Sequence, residues 1–139
     1  MICPVCNKAT IVVEYKNIEL DYCLNCCGVW FDSDELELLL HCLDLDTPDL
    51  LLSSILGHPD AETSEKPRRC PICRRKMKKT TIGDKPKILI DTCIRKDGLW
   101  FDGGEVSQLV KELAKKKPVL KEAQQQVLAF LAETFKARA

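Results

Sequence analysis

The chain has few histidines, and it has no apolar segment long enough for a membrane-spanning protein. Only 2 of its 139 residues are histidines. No apolar run approaches the ~18 residues that a membrane-spanning helix needs. The first residues contain cysteines instead of the charged and apolar regions of a signal peptide. We therefore expect a cytoplasmic protein with no membrane association.

The patterns of an enzyme active site are also missing. The sequence shows no nucleophile–base pair, no glycine-rich phosphate loop and no paired carboxylates in a recognisable frame. His41 lies in a helical segment and His58 precedes Pro59, and both are more typical of surface histidines than of remote metal ligands. These absences predict a protein that is not an enzyme and has no small-molecule substrate.

Cysteine, in contrast, is abundant, and its spacing reveals an internal duplication. The chain has 9 cysteines, and Cys3-Pro4-Val5-Cys6 recurs 67 residues later as Cys70-Pro71-Ile72-Cys73. The segment 28–32 recurs as 98–102 with an offset of 70 residues, so three residues were added inside the second copy. Each copy covers about 40 residues, a size at which metal ions or disulfides usually supplement the core.

The first copy predicts a structural zinc site. Two Cys-x-x-Cys loops, here called knuckles, stand at the two ends of a predicted β-hairpin, which brings four thiolates together. The predicted ligands are Cys3, Cys6, Cys23 and Cys26. An iron–sulfur cluster uses the same four thiolates, but the spacing favours zinc. Cys27 directly follows the last predicted ligand, so the sequence offers it as an alternative fourth ligand. We expect it not to bind the metal.

The second copy predicts an altered site. It supplies the three thiolates of Cys70, Cys73 and Cys93, and Lys96 stands where the fourth cysteine belongs. A protonated amine does not donate to a metal, but Asp97 offers a carboxylate one residue later. Three interpretations stay open: the second copy has lost its metal, or it binds zinc through three cysteines and Asp97, or it holds zinc with one position open to water.

The pattern of elements predicts a small α+β protein with two tandem zinc-ribbon hairpins, each followed by a helix. The predicted hairpin strands occupy residues 9–15 and 18–22 in the first copy and 77–82 and 87–92 in the second. Gly28 and Gly98 then precede a Trp-Phe pair, and we expect both glycines to adopt positive φ. The aromatic pair is expected to pack between hairpin and helix. Each helix follows an Asp-x-x-Glu start that resembles a capping box, and residues 119–136 predict an amphipathic C-terminal helix.

Charge is divided unequally along a chain whose net charge is zero. Residues 1–65 hold 2 basic and 13 acidic residues, whereas residues 66–139 hold 19 and 8. Residues 66–79, around the Cys70–Cys73 knuckle, hold eight basic residues and no acidic one, which predicts contact with nucleic-acid phosphates. The residues predicted to bind nucleic acid are Arg68, Arg69, Arg74, Arg75, Lys76, Lys78 and Lys79.

The motifs together resemble a known family. The series Cys-Pro-x-Cys, hairpin, Cys-x-x-Cys and Gly-x-Trp-Phe-Asp-x-x-Glu-Leu is similar to the bacterial zinc-ribbon proteins of the transcription factor IIB zinc-finger type. The resemblance covers residues 3–40 and, with departures, 70–110. It implies metal-ligand roles for the cysteines named above and a link to transcription, while Lys96 departs from the pattern.

The sequence therefore predicts four segments and leaves more than one function open. The segments are a ribbon with its helix at 1–45, a short helix and linker at 46–67, a second ribbon with its helix at 68–117, and a C-terminal helix at 118–139. The leading hypothesis is a zinc-binding module associated with nucleic acid or transcription. The alternatives are an assembly factor that pairs its acidic and basic halves, through a protein partner or self-association, and a thiol redox or metal sensor that uses Cys27 and Cys42.

Overall fold

The computed structural model describes residues 1–15, 17–42, 52–83, 87–115 and 122–134, and it confirms a small α+β protein. The six strands are β1 (Ile11–Tyr15), β2 (Ile18–Tyr22), β3 (Val29–Asp32), β4 (Lys78–Ile82), β5 (Ile88–Thr92) and β6 (Gly98–Phe101). The four helices are α1 (Glu35–Cys42), α2 (Leu52–Leu56), α3 (Glu105–Lys115) and α4 (Glu122–Thr134). None of the helices in the described ranges has the length and apolar character to cross a bilayer.

Two antiparallel hairpins form where the sequence predicts them. β1 pairs with β2 from Ile11 opposite Tyr22 to Tyr15 opposite Ile18, and β4 pairs with β5 in the corresponding register. Asn17, at φ 68°, takes the left-handed conformation that a tight hairpin turn needs. Lys16 and residues 84–86, between β4 and β5, lie outside the described residues.

The two copies share one sheet, which the sequence interpretation missed. The Gly-x-Trp-Phe-Asp segments form strands β3 and β6 instead of leading directly into the helices. β3 and β6 pair antiparallel with each other, giving the strand order β1-β2-β3-β6-β5-β4. Trp30 lies opposite Trp100, and the 70-residue offset of the repeat relates these same two residues. An approximate twofold axis therefore passes between the tryptophans.

The expectation of positive φ at Gly28 and Gly98 is wrong, because neither glycine is among the residues with positive φ. Both are instead required by close approach across the joined copies. A Cβ on Gly28 would lie 2.1 Å from the Trp100 ring, and one on Gly98 would lie 2.2 Å from the Phe31 carbonyl oxygen and 2.6 Å from the Trp30 ring. Each glycine thus makes room for the other copy.

The two faces of the sheet carry different cores because successive side chains of a strand point to opposite faces. Phe31 and Phe101 lie on the helix face, where their ring centroids are 5.2 Å apart and they pack among leucines and isoleucines. Trp30 and Trp100 lie on the opposite face among the cysteines and Met77. The expected packing between hairpin and helix therefore holds for the phenylalanines and is wrong for the tryptophans.

The helices begin as the Asp-x-x-Glu pattern predicts. The main-chain N–H of Asp32 donates to Glu35 Oε2 at 2.9 Å, and Asp102 donates to Glu105 in the same way at 3.0 Å. These bonds form one half of a capping box. The short helix predicted within residues 46–67 corresponds to α2, which ends before Gly57, and the predicted C-terminal helix corresponds to α4. Parts of both predictions lie outside the described residues.

Candidate metal centres and their surroundings

The first knuckle pair brings together the four cysteines that the sequence predicts. The Sγ atoms of Cys3 and Cys26 lie 3.6 Å apart and those of Cys6 and Cys23 lie 3.4 Å apart. All four sulfurs lie within 4.8 Å of one another. Cys3 and Cys23 are completely buried, while the other two are half-buried at the knuckle loops. The hairpin and the two knuckles that flank it therefore hold the four sulfurs in one compact cluster.

This geometry fits zinc better than it fits disulfide bonding. Tetrahedral zinc with Zn–S bonds of ~2.3 Å separates its sulfurs by ~3.8 Å, close to the spacing observed. A disulfide would require ~2.05 Å between sulfurs, and all nine cysteines are free. Zinc would be held by the four thiolates with no open position, which is the closed arrangement of structural sites.

The second copy forms a similar cluster that includes a carboxylate. Asp97 Oδ2 lies 3.6 Å from Cys70 Sγ and 3.5 Å from Cys93 Sγ, and the sulfurs of Cys73 and Cys93 lie 3.7 Å apart. The four ligand atoms lie within 4.8 Å of one another. Lys96 is exposed and is not part of the cluster.

A one-residue change in the knuckle turn explains why Asp97 takes the fourth position. In the first copy the N–H of Cys27 bonds the carbonyl of Cys23, whereas in the second the N–H of Lys96 bonds the carbonyl of Cys93. The left-handed residue is accordingly Cys27, at φ 65°, in one copy and Lys96, also at φ 65°, in the other. The tighter turn moves Asp97 next to the sulfurs, and its carboxylate extends one bond further than a thiol.

Burial keeps several of the cluster thiols protonated, whereas hydrogen bonds to Cys6, the Lys8 main chain first among them, outweigh its burial and lower its pKa to about 6. Burial raises the pKa of Cys26 to about 11 and that of Cys70 to about 12. A bound dication stabilises thiolates directly and reverses this preference. Both clusters are therefore chemically suited to a metal that displaces protons on binding.

The two cysteines proposed for redox sensing are not members of the ligand sets. Cys27 is buried next to its copy's last ligand and close to Gly103, whose added Cβ would meet Cys27 at 3.2 Å. Cys42 is half-buried at the end of α1 and packs against the helix-face core. Neither belongs to a cluster of metal-ligating groups among the described residues.

Each tryptophan is fixed by the aspartate two residues later. Trp30 Nε1 donates to Asp32 Oδ1 at 2.9 Å, and Trp100 Nε1 donates to Asp102 Oδ1 at 3.1 Å. A buried indole N–H needs such an acceptor. The Trp-Phe-Asp motif thus places one side chain in each core and then satisfies the polar atom of the tryptophan.

An ion-pair network that the sequence interpretation missed lies beside Trp100. Arg68 Nη1 contacts Asp91 Oδ2 at 3.1 Å, Asp102 Oδ1 at 2.6 Å and Glu65 Oε1 at 3.2 Å. Lys79 Nζ contacts Glu65 at 2.5 Å and Asp91 at 2.7 Å. The Asp91 side chain is only 2% exposed, so these cations neutralise a buried carboxylate. In the sequence, Asp91 inside the otherwise apolar strand β5 was the feature that indicated this network.

The predicted nucleic-acid residues therefore fall into two groups. Arg68, Lys78 and Lys79 are largely buried in contacts within the chain, including the bond from Lys78 Nζ to the Leu56 carbonyl at 3.0 Å. The remaining four are exposed around the first knuckle of the second copy: Arg69, Arg74, Arg75 and Lys76. Arg69 donates to the carbonyl of Arg74 at 3.1 Å.

We expect Glu105 to make stability fall as pH rises. Burial and the neighbouring Asp102 raise the pKa of Glu105 to about 8, whereas its ordinary value is 4.5. The folded state therefore keeps a proton that the unfolded state loses, and this contribution is lost as pH rises from about 4.5 through 8. Glu105→Gln still offers an oxygen to the Asp102 N–H but does not titrate.

The measurement for Glu105 compares denaturant midpoints of the zinc-loaded wild type and Glu105→Gln between pH 6 and 9. Relative to the variant, the wild type should lose on the order of 1 kcal/mol, allowing for solvent screening, and then level off above pH 8. A constant difference across this range would contradict the assignment.

The comparisons with known proteins agree with the geometry of the first cluster. The family model of the transcription factor zinc-finger matches residues 2–41. All four cysteines of the first cluster lie inside that range. No curated protein and no solved structure matches the chain. The family match and the four clustered sulfurs together support zinc as the metal of the first copy: residues 2–41 are similar to the transcription factor zinc-finger family and contain the four-cysteine cluster.

Proposed function

We propose that the chain is a non-enzymatic zinc protein that binds nucleic-acid phosphates through its second copy. The observation that carries this proposal is the exposed cation set around the second knuckle pair. Arg69, Arg74, Arg75 and Lys76 flank the first loop of that pair, and exposed Arg95 and Lys96 belong to the second loop. Cysteines held by metal remain reduced, which agrees with a cytoplasmic location.

The first copy provides an internal contrast. By the repeat offset, Arg69, Arg74 and Lys76 correspond to Ile2, Asn7 and Ala9, and Arg95 corresponds to Asn25, whereas Arg75 has a cationic counterpart in Lys8. Apart from Arg75, these cations thus belong to the second copy and are not a requirement of the fold. We expect recognition of the phosphate backbone with little base specificity, because the cations of this set lie at the knuckle loops and not on a helix.

Exposed apolar residues at the knuckle tips support a contact surface there. Ile72 is 55% exposed and Ile94 is 53% exposed. They extend beyond the metal cluster and lie within the cationic set. Apolar side chains surrounded by cations are suited to a ligand that offers both charged phosphates and base or sugar surfaces.

The nucleic-acid proposal is tested by replacing cations with the first copy's own residues. Arg74→Asn with Lys76→Ala removes two charges, and Asn7 already adopts φ 62° at the position equivalent to Arg74, where φ is 66°. We expect this variant to bind duplex DNA more weakly and its log Kd to depend less on log salt, by about 0.9 per lost phosphate contact. Fluorescence anisotropy over a salt series measures both quantities.

The matched control is Lys87→Gln with Lys111→Gln, which removes the same charge at exposed positions on β5's flank and on α3. The control should bind like the wild type. Equal loss in both variants would indicate a general charge effect, and no binding by the wild type at low ionic strength would refute the proposal.

We also propose that the second cluster binds zinc through three thiolates and the Asp97 carboxylate. The sequence left this choice open, and three observations support it. The ligand atoms lie at distances similar to those of the first cluster. The turn is rebuilt around Lys96. Cys70 and Cys93 are buried as completely as their counterparts. Zinc there would stabilise the loops that present the cations.

A further inference from the structure

The two edges of the sheet are treated differently in the two copies. β4, at one edge, is covered by the chain's own segment 56–65, whereas β1 forms the other edge. The Ala61 N–H donates to the Lys79 carbonyl at 2.9 Å. His58 Nδ1 lies 3.0 Å from the Thr81 carbonyl oxygen, and Thr80 Oγ1 donates to the Pro59 carbonyl at 3.0 Å. The covering segment therefore makes one main-chain hydrogen bond to β4, and two further contacts join a side chain to a main-chain carbonyl.

β1 has no such cover among the residues that the structure describes. Val12 is the counterpart of Lys79 by the repeat offset, and its carbonyl has no main-chain partner outside the sheet in the described ranges. Val12 is 61% exposed, and Ile11 and Ile2 are 44% and 41% exposed. An apolar edge strand with free main-chain groups is a template for an added strand.

The same covering segment delivers a cation in the second copy. Arg68, three residues after the end of that segment, places its guanidinium between Asp91 and Asp102. The first copy keeps both acids, as Asp21 and Asp32, but has Met1 at the position equivalent to Arg68.

No side-chain cation within the described residues forms an ion pair with the acids of the first copy. Asp21 lies opposite Trp30 in the sheet, and Trp30 donates to Asp32. These contacts repeat those of Asp91, Trp100 and Asp102. The main-chain ammonium of Met1 acts on Asp21, but Asp32 is exposed. The first copy therefore has the two acids of an arginine-binding site without the arginine.

We propose that the β1 edge together with Asp21 and Asp32 binds an extended, arginine-bearing segment of a partner protein. The segment adds to β1 through main-chain hydrogen bonds, and its guanidinium bonds both carboxylates. Charge complementarity selects a basic segment because the first copy is strongly acidic. On the second copy, Pro59 and Ala61 show the corresponding contacts with the edge strand and Arg68 shows the guanidinium contacts. In the first copy Met1 occupies the main-chain position of Arg68, where its carbonyl accepts from the Thr10 N–H, so the partner's arginine approaches the acids from the added segment. This surface is separate from the cationic knuckle, and its test does not involve nucleic acid.

The probe is a labelled peptide of residues 57–69 that carries Asp60→Leu and Glu65→Leu. These changes are needed because Asp60 and Glu65 pair with Lys78 and Lys79 in the second copy, whereas the first copy offers Ile11 and Val12. The control peptide also carries Arg68→Gln. On the full zinc-loaded chain we expect saturable binding of the probe and about tenfold weaker binding of the control.

Variants of the protein locate the site. Asp32→Asn keeps an acceptor for the Trp30 indole and should weaken binding of the probe about tenfold. Val12→Lys places a charge on the edge strand and should weaken it similarly. Asp34→Asn, which removes the same charge from a neighbouring exposed side chain, should have no effect. Zinc content identical to that of the wild type confirms that each variant is folded.

Three results would overturn the proposal. The first is an absence of saturable binding. The second is equal affinity of the wild-type protein for the probe and for its Arg68→Gln control, a comparison that needs no variant of the protein. The third is self-association of the wild type that Val12→Lys abolishes in sedimentation experiments, because the edge would then be an interface between two copies of this chain.

Discussion

Removal of zinc from the first cluster is expected to unfold the protein. Structural zinc contributes an apparent ~10–16 kcal/mol in small zinc domains, which equals or exceeds the ~5–15 kcal/mol stability of a whole domain. Cys23→Ser, which replaces a completely buried ligand, should abolish the cooperative thermal transition of the wild type and expose the backbone amides of β1 to β3 to hydrogen exchange.

Cys42→Ser is the matched control because Cys42 is half-buried and is not a ligand. It should retain the cooperative transition and the full zinc content. A strong chelator should reproduce the effect of Cys23→Ser on the wild type. Retention of the wild-type transition by Cys23→Ser would show that packing alone maintains the first copy.

Gly98→Ala is expected to separate the two copies. An added Cβ would lie 2.2 Å from the Phe31 carbonyl oxygen, and both groups belong to the paired strands β3 and β6. A backbone atom cannot rotate away as a side chain can, so the strands must move apart. We expect a loss of about 3 kcal/mol or more in the free energy of unfolding, measured by chemical denaturation, and increased exposure of Trp30 by fluorescence.

Gly57→Ala tests whether the effect is specific to the junction. Its added Cβ would meet no atom closer than 3.3 Å, and the residue is exposed after α2. Its stability should stay within about 0.5 kcal/mol of the wild type. Similar losses in Gly57→Ala and Gly98→Ala would contradict the close approach of the copies.

The sequence predicted the local features of the fold and missed the non-local ones. The hairpins were visible because β1, β2 and β5 carry β-branched or alternating apolar residues between recognisable turns. The strands β3 and β6 are four residues long, and their pairing joins residues about 70 positions apart. The sequence periodicity within either copy does not indicate such a long-range pairing. The glycine before each aromatic pair was the sequence feature that indicated close contact there.

The ligands of the candidate metal sites could be predicted where the spacing of the cysteines determines them. The first four cysteines fit the expected pattern, and Asp97 could be named only as an option because its use depends on the turn at Lys96. Charge was harder to interpret. Arg68 and Lys79 belong to the basic run in sequence but neutralise Asp91 in the fold. A comparison of Lys79 and Asp91 with Val12 and Asp21, which pair across strands in the same register, would have revealed the difference.

We infer that duplication produced two metal-binding clusters on one face of the shared sheet. Elemental analysis of the purified chain tests it most directly, with Cys70→Ser and Asp97→Asn as variants of the second cluster. We predict two zinc ions per chain in the wild type, one in Cys70→Ser, and a second zinc in Asp97→Asn that is lost at lower chelator concentration. One zinc per chain in the wild type, with the same value in Cys70→Ser, would contradict the account.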